Sequence, residues 1–180
     1  GTFLYAVAFT SIYTRPVSRI EASRWIYQNI PQGSVLANEH WDDSLPLRID
    51  GKDGCRDWYT GVSMNNYDHY SPEKVDMIVN NLSQTDYVIL SSNRLYDSVT
   101  RMPLRYPVVT RYYDLLFEGK LGFRKIAEFT SYPQLFGFEL PDQSADESFS
   151  VYDHPKVTIF AKTAEFDAEE VRRLLTQDID

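Results

Sequence analysis

The sequence predicts an α/β fold: a mixed β-sheet with a parallel core and an antiparallel extension, and helices on both faces. Three observations predict it. Short apolar runs of strand length alternate with helix-period segments through the first half of the chain. The strand candidates are apolar on consecutive residues, as in strands buried on both faces. Late in the chain, strand candidates succeed one another with only turn signals between them, which adds an antiparallel part. The 180 residues, 43% hydrophobic and 14% aromatic, suit one domain over 1–180 with a sizeable core and argue against global disorder.

Each element has its own signal. Residues 4–13 (LYAVAFTSIY) form a continuous apolar run and read as a buried strand, broken at Arg15 and Pro16. Ser18 and Glu21 stand in capping-box register, with Val17 and Ala22 spaced for a hydrophobic staple. Ala22, Trp25, Ile26 and Ile30 recur at helical spacing, and Pro31 with Gly33 ends that helix. Residues 34–39 are a short strand. Residues 40–70 have no clear period and hold many Asp, Asn and Gly residues beside Trp41, Trp58, Tyr59, Tyr67 and Tyr70. They read as a long loop with a hairpin near Asp50 and Gly51, and loops of that length are often functional.

Ser71 caps and Pro72 opens a helix whose Val75, Ile78, Val79 and Leu82 fit the i, i+3, i+4, i+7 pattern. Residues 87–90 (YVIL) are the clearest buried strand. Ser92 and Asn93 cap a short helix to Val99, and Pro103 and Pro107 precede a helix over 108–117 that Gly119 and Gly122 terminate. Residues 123–130 and 136–140 read as two antiparallel strands joined at Ser131, Tyr132 and Pro133. Residues 142–148 are an acidic loop and 157–161 (VTIFA) a last strand. Asp167 and Glu170 cap a final helix with Val171, Leu174 and Leu175, a peripheral element within 163–180. Right-handed crossovers between the early strands yield a Rossmann-like three-layer domain.

Charge and composition exclude several classes. A formal net charge of -8 argues against a nucleic-acid surface, which needs clustered Lys and Arg, and against anionic lipid head groups. One cysteine, Cys55, permits no internal disulfide and no four-cysteine zinc site, and it does not fix the compartment. His40, His69 and His154 are widely spaced and match no metal motif. No nucleophile elbow, phosphate loop or dinucleotide fingerprint is present. The sequence therefore assigns no catalytic residue, no metal and no cofactor. No segment reaches the roughly 20 apolar residues of a membrane span. The chain opens inside an apolar run without a signal-peptide pattern, as expected of a piece trimmed from a longer protein.

Candidate ligand positions lie where predicted strands end. His40, Trp41, Asp42 and Asp43 come directly after the 34–39 strand, and open α/β sheets bind ligands beyond strand carboxyl ends. Trp41 suits stacking on a sugar ring, with Asp42 and Asp43 accepting from its hydroxyls. The plainer reading is a partly buried Trp that anchors the loop. Trp58 and Tyr59, in the same loop, are grouped with this site. Ser92, Asn93 and Arg94 leave the 87–90 strand and enter a helix, where free amides and Arg94 suit a phosphate or carboxylate. The alternative is an ordinary cap beside a solvated Arg.

Three further constellations are weaker. Asp50, Gly51, Lys52, Asp53, Gly54 and Asp57 resemble a loose calcium loop but lack the EF-hand spacing, so a solvated turn is the better reading. Tyr106, Tyr112 and Tyr113 near Arg101, Arg105 and Arg111 suit stacking on bases or sugars; in an acidic chain a packed helix with Arg–Asp pairs fits better. Asp153 and His154 form either an acid–base pair or a tight turn with His154 hydrogen-bonded.

Residues 92–123, SNRLYDSVTRMPLRYPVVTRYYDLLFEGKLGF, resemble a segment of the bacterial and archaeal YYY polytopic membrane proteins. The related group is the membrane glycosyltransferases similar to dolichyl-phosphate-mannose–protein mannosyltransferases. Residues 19–34, with Ala22-Ser23-Arg24-Trp25-Ile26 and Asn29-Ile30-Pro31-Gln32-Gly33-Ser34, are similar to the region after their last membrane span. Residues 149–160, with Val151-Tyr152-Asp153-His154-Pro155-Lys156-Val157, resemble their closing strand. The likeness spans about 13–162 and is weakest over 48–66 and in the final helix.

The resemblance implies a GT-C type parent that moves a sugar from a polyprenyl-phosphate donor to an acceptor outside the membrane. This chain would be its extracytoplasmic C-terminal domain, with 1–14 the junction to a preceding membrane segment. The catalytic acid of such enzymes resembles an Asp or Glu in an early outer loop that no position here matches, so no catalytic residue is carried over. Implied partners are the membrane-embedded part of the same chain and a glycan or polyprenyl-phosphate sugar. The implied role is acceptor or glycan recognition. A structural or self-associating module is the alternative, and a hydrolase or transferase using Asp153 and His154 ranks third.

Overall fold

A computed structural model describes residues 1–68 and 71–177, so His69 and Tyr70 lie outside the described residues. In chain order the elements are α1 (Thr2–Thr10), α2 (Ser18–Asn29), β1 (Val35–Glu39), β2 (Thr60–Met64), α3 (Pro72–Gln84), β3 (Tyr87–Leu90) and α4 (Arg94–Val99). Then come α5 (Pro107–Phe117), β4 (Phe123–Phe129), β5 (Gln134–Leu135), β6 (Phe138–Glu139), α6 (Glu147–Ser150), β7 (Val157–Lys162) and α7 (Ala168–Thr176). Five strands form one sheet in the order β2-β1-β3-β7-β4, and β5-β6 is a separate ribbon. β1 runs parallel to β2 and β3, while β7 is antiparallel to β3 and β4. The fold is the mixed α/β sheet that the sequence predicts.

Strand alternation splits the core into two layers. Ala37, Val88, Leu90 and Phe160 point to one face, where α3, α5 and α7 bury Ile78, Leu82, Val109, Tyr112 and Val171. Leu36, Ile89, Val157 and Ile159 point to the other, against Ala22, Ile26 and Ile30 of α2. The periodic segments fall where their spacing puts them. Asp167 caps α7 by accepting from the Glu170 amide at 2.9 Å.

Four expectations are corrected. Residues 4–13 are not a strand: α1 and a turn of 3-10 helix (Ser11–Thr14) occupy them. An apolar run without a period fits either element, and α1 docks through Ala8 and Ile12 while Phe3, Leu4 and Val7 stay exposed. Ser18 is no cap, because Val17 holds the N-cap position and the Ser18 hydroxyl donates to the Pro155 carbonyl. Residues 40–70 are not one loop. They hold a π-turn (Gly54–Trp58) and β2, an edge strand whose inward apolar residues are Val62 and Met64. Finally, β4 does not pair with the segment after it. The tight turn lies at Phe136 (φ 52°) and Gly137 (φ 85°), which closes β5 on β6 and leaves β4 to β7.

Other constellations also settle. Asp50 and Gly51 turn the chain between Ile49 and Lys52, and Asp50 pairs with Arg24 at 2.8 Å. Tyr106, Tyr112 and Tyr113 are buried in the core and unavailable for stacking on a ligand. Among the described residues no helix is long and apolar enough to cross a membrane.

From β1 the chain proceeds outward to β2; from β3 it proceeds the other way, through α4 and α5 to β4. Neighbouring strands with departures in opposite directions make a topological switch point, the place where open α/β sheets bind ligands.

Candidate functional site

Two chain segments meet at the switch point. The Ser92 hydroxyl, just past β3, donates to Asp42 Oδ2, just past β1. Arg19, in the first turn of α2, lies 2.9 Å from Asp42 Oδ1 and 2.9 Å from Asp43 Oδ2. Its guanidinium also donates to the Ser91 carbonyl at 3.1 Å and the Val151 carbonyl at 3.3 Å. The Asp42 side chain is 2% exposed and that of Arg19 10%, so this is a buried ion pair. One arginine thus ties α2, both strand ends and the turn after α6 together. Asn93 is buried alongside and donates to Asp97 Oδ2 at 2.9 Å.

A second buried network lies on the α5 face. Glu39 ends β1 in register with Ala37, so its side chain meets α5, and the Tyr113 hydroxyl donates to Glu39 Oε1. Asn66 donates to that hydroxyl at 3.3 Å. Burial pushes the Glu39 carboxyl up to about 8. The bond from Tyr113 opposes that shift, the Asp42 charge adds to it, and Asn66 again opposes it. The second carboxyl oxygen, Oε2, is buried without a hydrogen-bond partner, which a proton there would relieve.

In front of these networks opens a cleft of about 400 Å3 lined by Trp41, Tyr67, Arg94, Leu95, Ser98 and Glu147. Trp41 is 59% exposed and Tyr67 48%, so two rings face solvent. His40 holds Trp41 edge-on, with ring centroids 5.2 Å apart, and its Nδ1 lies 3.1 Å from Ser63 Oγ of β2. Tyr67 packs against the buried Tyr106 ring at 6.0 Å. The Arg94 guanidinium lies 5.1 Å from the centre of the Tyr152 ring. Glu147 is held by Arg101 at 3.3 Å. Among the described residues the walls offer two aromatic rings, one cation, one carboxylate and the hydroxyls of Ser98 and Tyr67. Such a set suits a small polar molecule with an apolar face.

The structure therefore brings Trp41 and Arg94 together at the cleft, sets His40 outside it against the Trp41 ring, and puts Asp42, Ser92 and Asn93 beneath it as support. Both oxygens of Asp42 are occupied by protein partners, so it is no free acceptor for a sugar hydroxyl. Asp43 sits at the rim and serves Arg19. Trp58 and Tyr59 belong to the opposite end of the sheet. Thr60, the next residue, pairs with Val35 at the start of β1, and Gly33 donates to the Trp58 carbonyl at 2.7 Å. Tyr59 donates to the Ile26 and Ile30 carbonyls at 3.1 Å each and closes the end of α2; Trp58 packs edge-on against Tyr27.

The supposed Asp153–His154 pair does not form. His154 Nε2 shares a hydrogen bond with Asp142 Oδ2 at 2.9 Å, and Tyr5 donates to the same oxygen at 3.0 Å. Burial and that carboxylate push the Tyr5 hydroxyl up to about 12. The His154 side chain is fully buried between Phe9 and Phe149, so no substrate reaches it. Asp153 instead lies near Tyr13, whose hydroxyl is raised by burial and by that carboxylate.

Arg19 and Glu39 escaped sequence reasoning, although a signal existed for each. Arg19 falls on the buried stripe of Ala22, Ser23 and Ile26, at i, i+3, i+4 and i+7. Glu39 ends a strand otherwise buried on both faces. A charge in either place requires a partner. Ser98 and Glu147 had none, since only the packing of α4 on α6 brings them to the cleft. Among the described residues no group of three or more His, Cys, Asp and Glu converges to hold a metal ion.

No family model matches the chain, and neither a curated protein nor a solved structure does.

Proposed function

We propose that the chain is a non-catalytic extracytoplasmic domain of a membrane glycosyltransferase, and that the Trp41–Tyr67 cleft binds its acceptor or another glycan. The cleft carries the reading: two exposed aromatic rings flank polar groups at the strand ends of a switch point. A pyranose ring stacks an apolar face on such a ring and offers its hydroxyls to Ser98 and Glu147. The likeness of residues 92–123 to membrane glycosyltransferases supports the parent, and part of that stretch, Arg94, Leu95 and Ser98, forms one wall. Glycoside hydrolysis ordinarily takes a pair of facing carboxylates, and among the described residues Glu147 is the one acidic side chain in the lining. That favours binding over turnover.

Titration with neutral and charged oligosaccharides at millimolar concentration, monitored by NMR, tests the proposal. Amide shifts are expected around Trp41, Tyr67 and Arg94. Trp41→Ala is expected to weaken binding about tenfold, the scale of one lost aromatic contact. A spectrum that stays still near Trp41 removes the binding claim.

An apolar surface favours a second reading. α1 carries no charged residue, and its Phe3, Leu4 and Val7 are exposed, as are Phe136 and Phe138 at the turn of the ribbon against which α1 packs. Such a surface suits packing on the membrane-embedded part of the same chain, or self-association. In analytical ultracentrifugation the chain should then associate with rising concentration and a Phe3→Glu/Leu4→Glu variant should not. Identical sedimentation of the two would discard self-association.

A further inference from the structure

We propose that the cleft selects anionic saccharides, a uronate or a sugar phosphate, with Arg94 as the residue that binds the anion; this deepens the glycan-binding reading above and rests on it. Charge pairing around the cleft points to Arg94. Acidic residues outnumber basic ones, 26 to 18, so an arginine near the surface has carboxylates to spare. Those around the cleft already have partners. Asp42 and Asp43 hold Arg19, and Asp146 and Glu147 hold Arg101.

Arg94 differs. Among the described residues no ion pair reaches it, and its Nε is buried without a hydrogen-bond partner. The Tyr152 ring holds it, 5.1 Å from the guanidinium carbon. A ring contact engages the face of a guanidinium and does not use its edge donors. Two parallel N–H groups match a carboxylate or phosphate, and the partly desolvated setting strengthens that bond. Trp41 and Tyr67 line the same cleft, so a ring stacked there carries its anionic substituent toward Arg94. Glu147 shares Arg101 with Asp146, at 3.3 Å and 2.8 Å, which reduces its repulsion of an anion without cancelling it, so the preference rests on direct contact with Arg94.

Isothermal calorimetry on the native chain tests this with four probes: methyl glucoside, methyl glucuronide, glucose 6-phosphate and inorganic phosphate. The glucuronide and the sugar phosphate should bind about tenfold more tightly than the neutral glucoside, as a charge-assisted bidentate bond predicts. Added salt should narrow that gap. Arg94→Gln should erase the gap, so that glucoside, glucuronide and sugar phosphate bind alike. Equal binding of neutral and anionic sugars, or a gap that survives in Arg94→Gln, overturns anion selection and leaves the glycan-binding reading standing. Inorganic phosphate as tight as glucose 6-phosphate also overturns it, because the rings then contribute nothing. If none of the four binds, both readings fall together. The native-protein comparison stands even if the variant folds poorly.

Discussion

Asp42→Ala should destabilise the protein by about 3 kcal/mol, as expected when one partner of a buried ion pair is removed. The guanidinium of Arg19 would remain buried with one carboxylate fewer, and the Ser92 hydroxyl would lose its acceptor. Asp43 limits the damage, since it stays 2.9 Å from Arg19 at the exposed rim. Its own removal, Asp43→Ala, should therefore cost under about 1 kcal/mol. Arg19→Met/Asp42→Leu, which removes both charges, should recover most of the loss, and a double-mutant cycle in urea measures it. Equal midpoints for Asp42→Ala and Asp43→Ala would show that the buried pair does not hold the switch point together. The same pair supports the loop that displays Trp41, so its loss should also reach the cleft.

Glu39→Gln should remove most of the pH dependence of stability between pH 5 and 8. The carboxyl rises from an ordinary value of 4.5 to about 8 on folding, because burial disfavours its charged form. The folded state holds the proton more tightly than the unfolded one, and that sets the sign. The stabilising contribution is complete below about pH 4.5 and disappears as pH rises through about 8. Within that window the slope approaches about 1.4 kcal/mol per pH unit, so the whole effect reaches a few kcal/mol. The substituted amide still accepts from Tyr113 and has no proton to lose, so the variant should be the more stable protein at pH 8. Thermal melts across the pH range check it. Parallel curves for the two proteins would mean that Glu39 is ionised in the fold. Asp42 couples the two networks: its charge helps to raise Glu39, so Asp42→Ala should also draw that pKa down.

Much of the fold was legible because periodicity acts locally. The stripe of Val75, Ile78, Val79 and Leu82, the run of residues 87–90 and the Asp167 cap each announce their element without help from the rest of the chain. Where a run has no period, as in residues 4–13, the sequence does not distinguish helix from strand, and docking through Ala8 and Ile12 decides. β2 was invisible for the opposite reason. An edge strand buries one side only, and two inward residues, Val62 and Met64, make too short an alternation to read.

The site divides along the same line. Local patterns suffice to place Trp41 and Arg94 just after strands, and parallel strands deliver the residues beyond their carboxyl ends to one edge of the sheet. It takes the packed chain to put Trp58 and Tyr59 at the opposite end, to seal His154 behind Asp142, and to commit Asp42 to Arg19. Desolvation accounts for the difference. Whether a polar group is free for a ligand or bound to a neighbour depends on which elements converge to exclude water from it, and that convergence joins residues far apart in the chain.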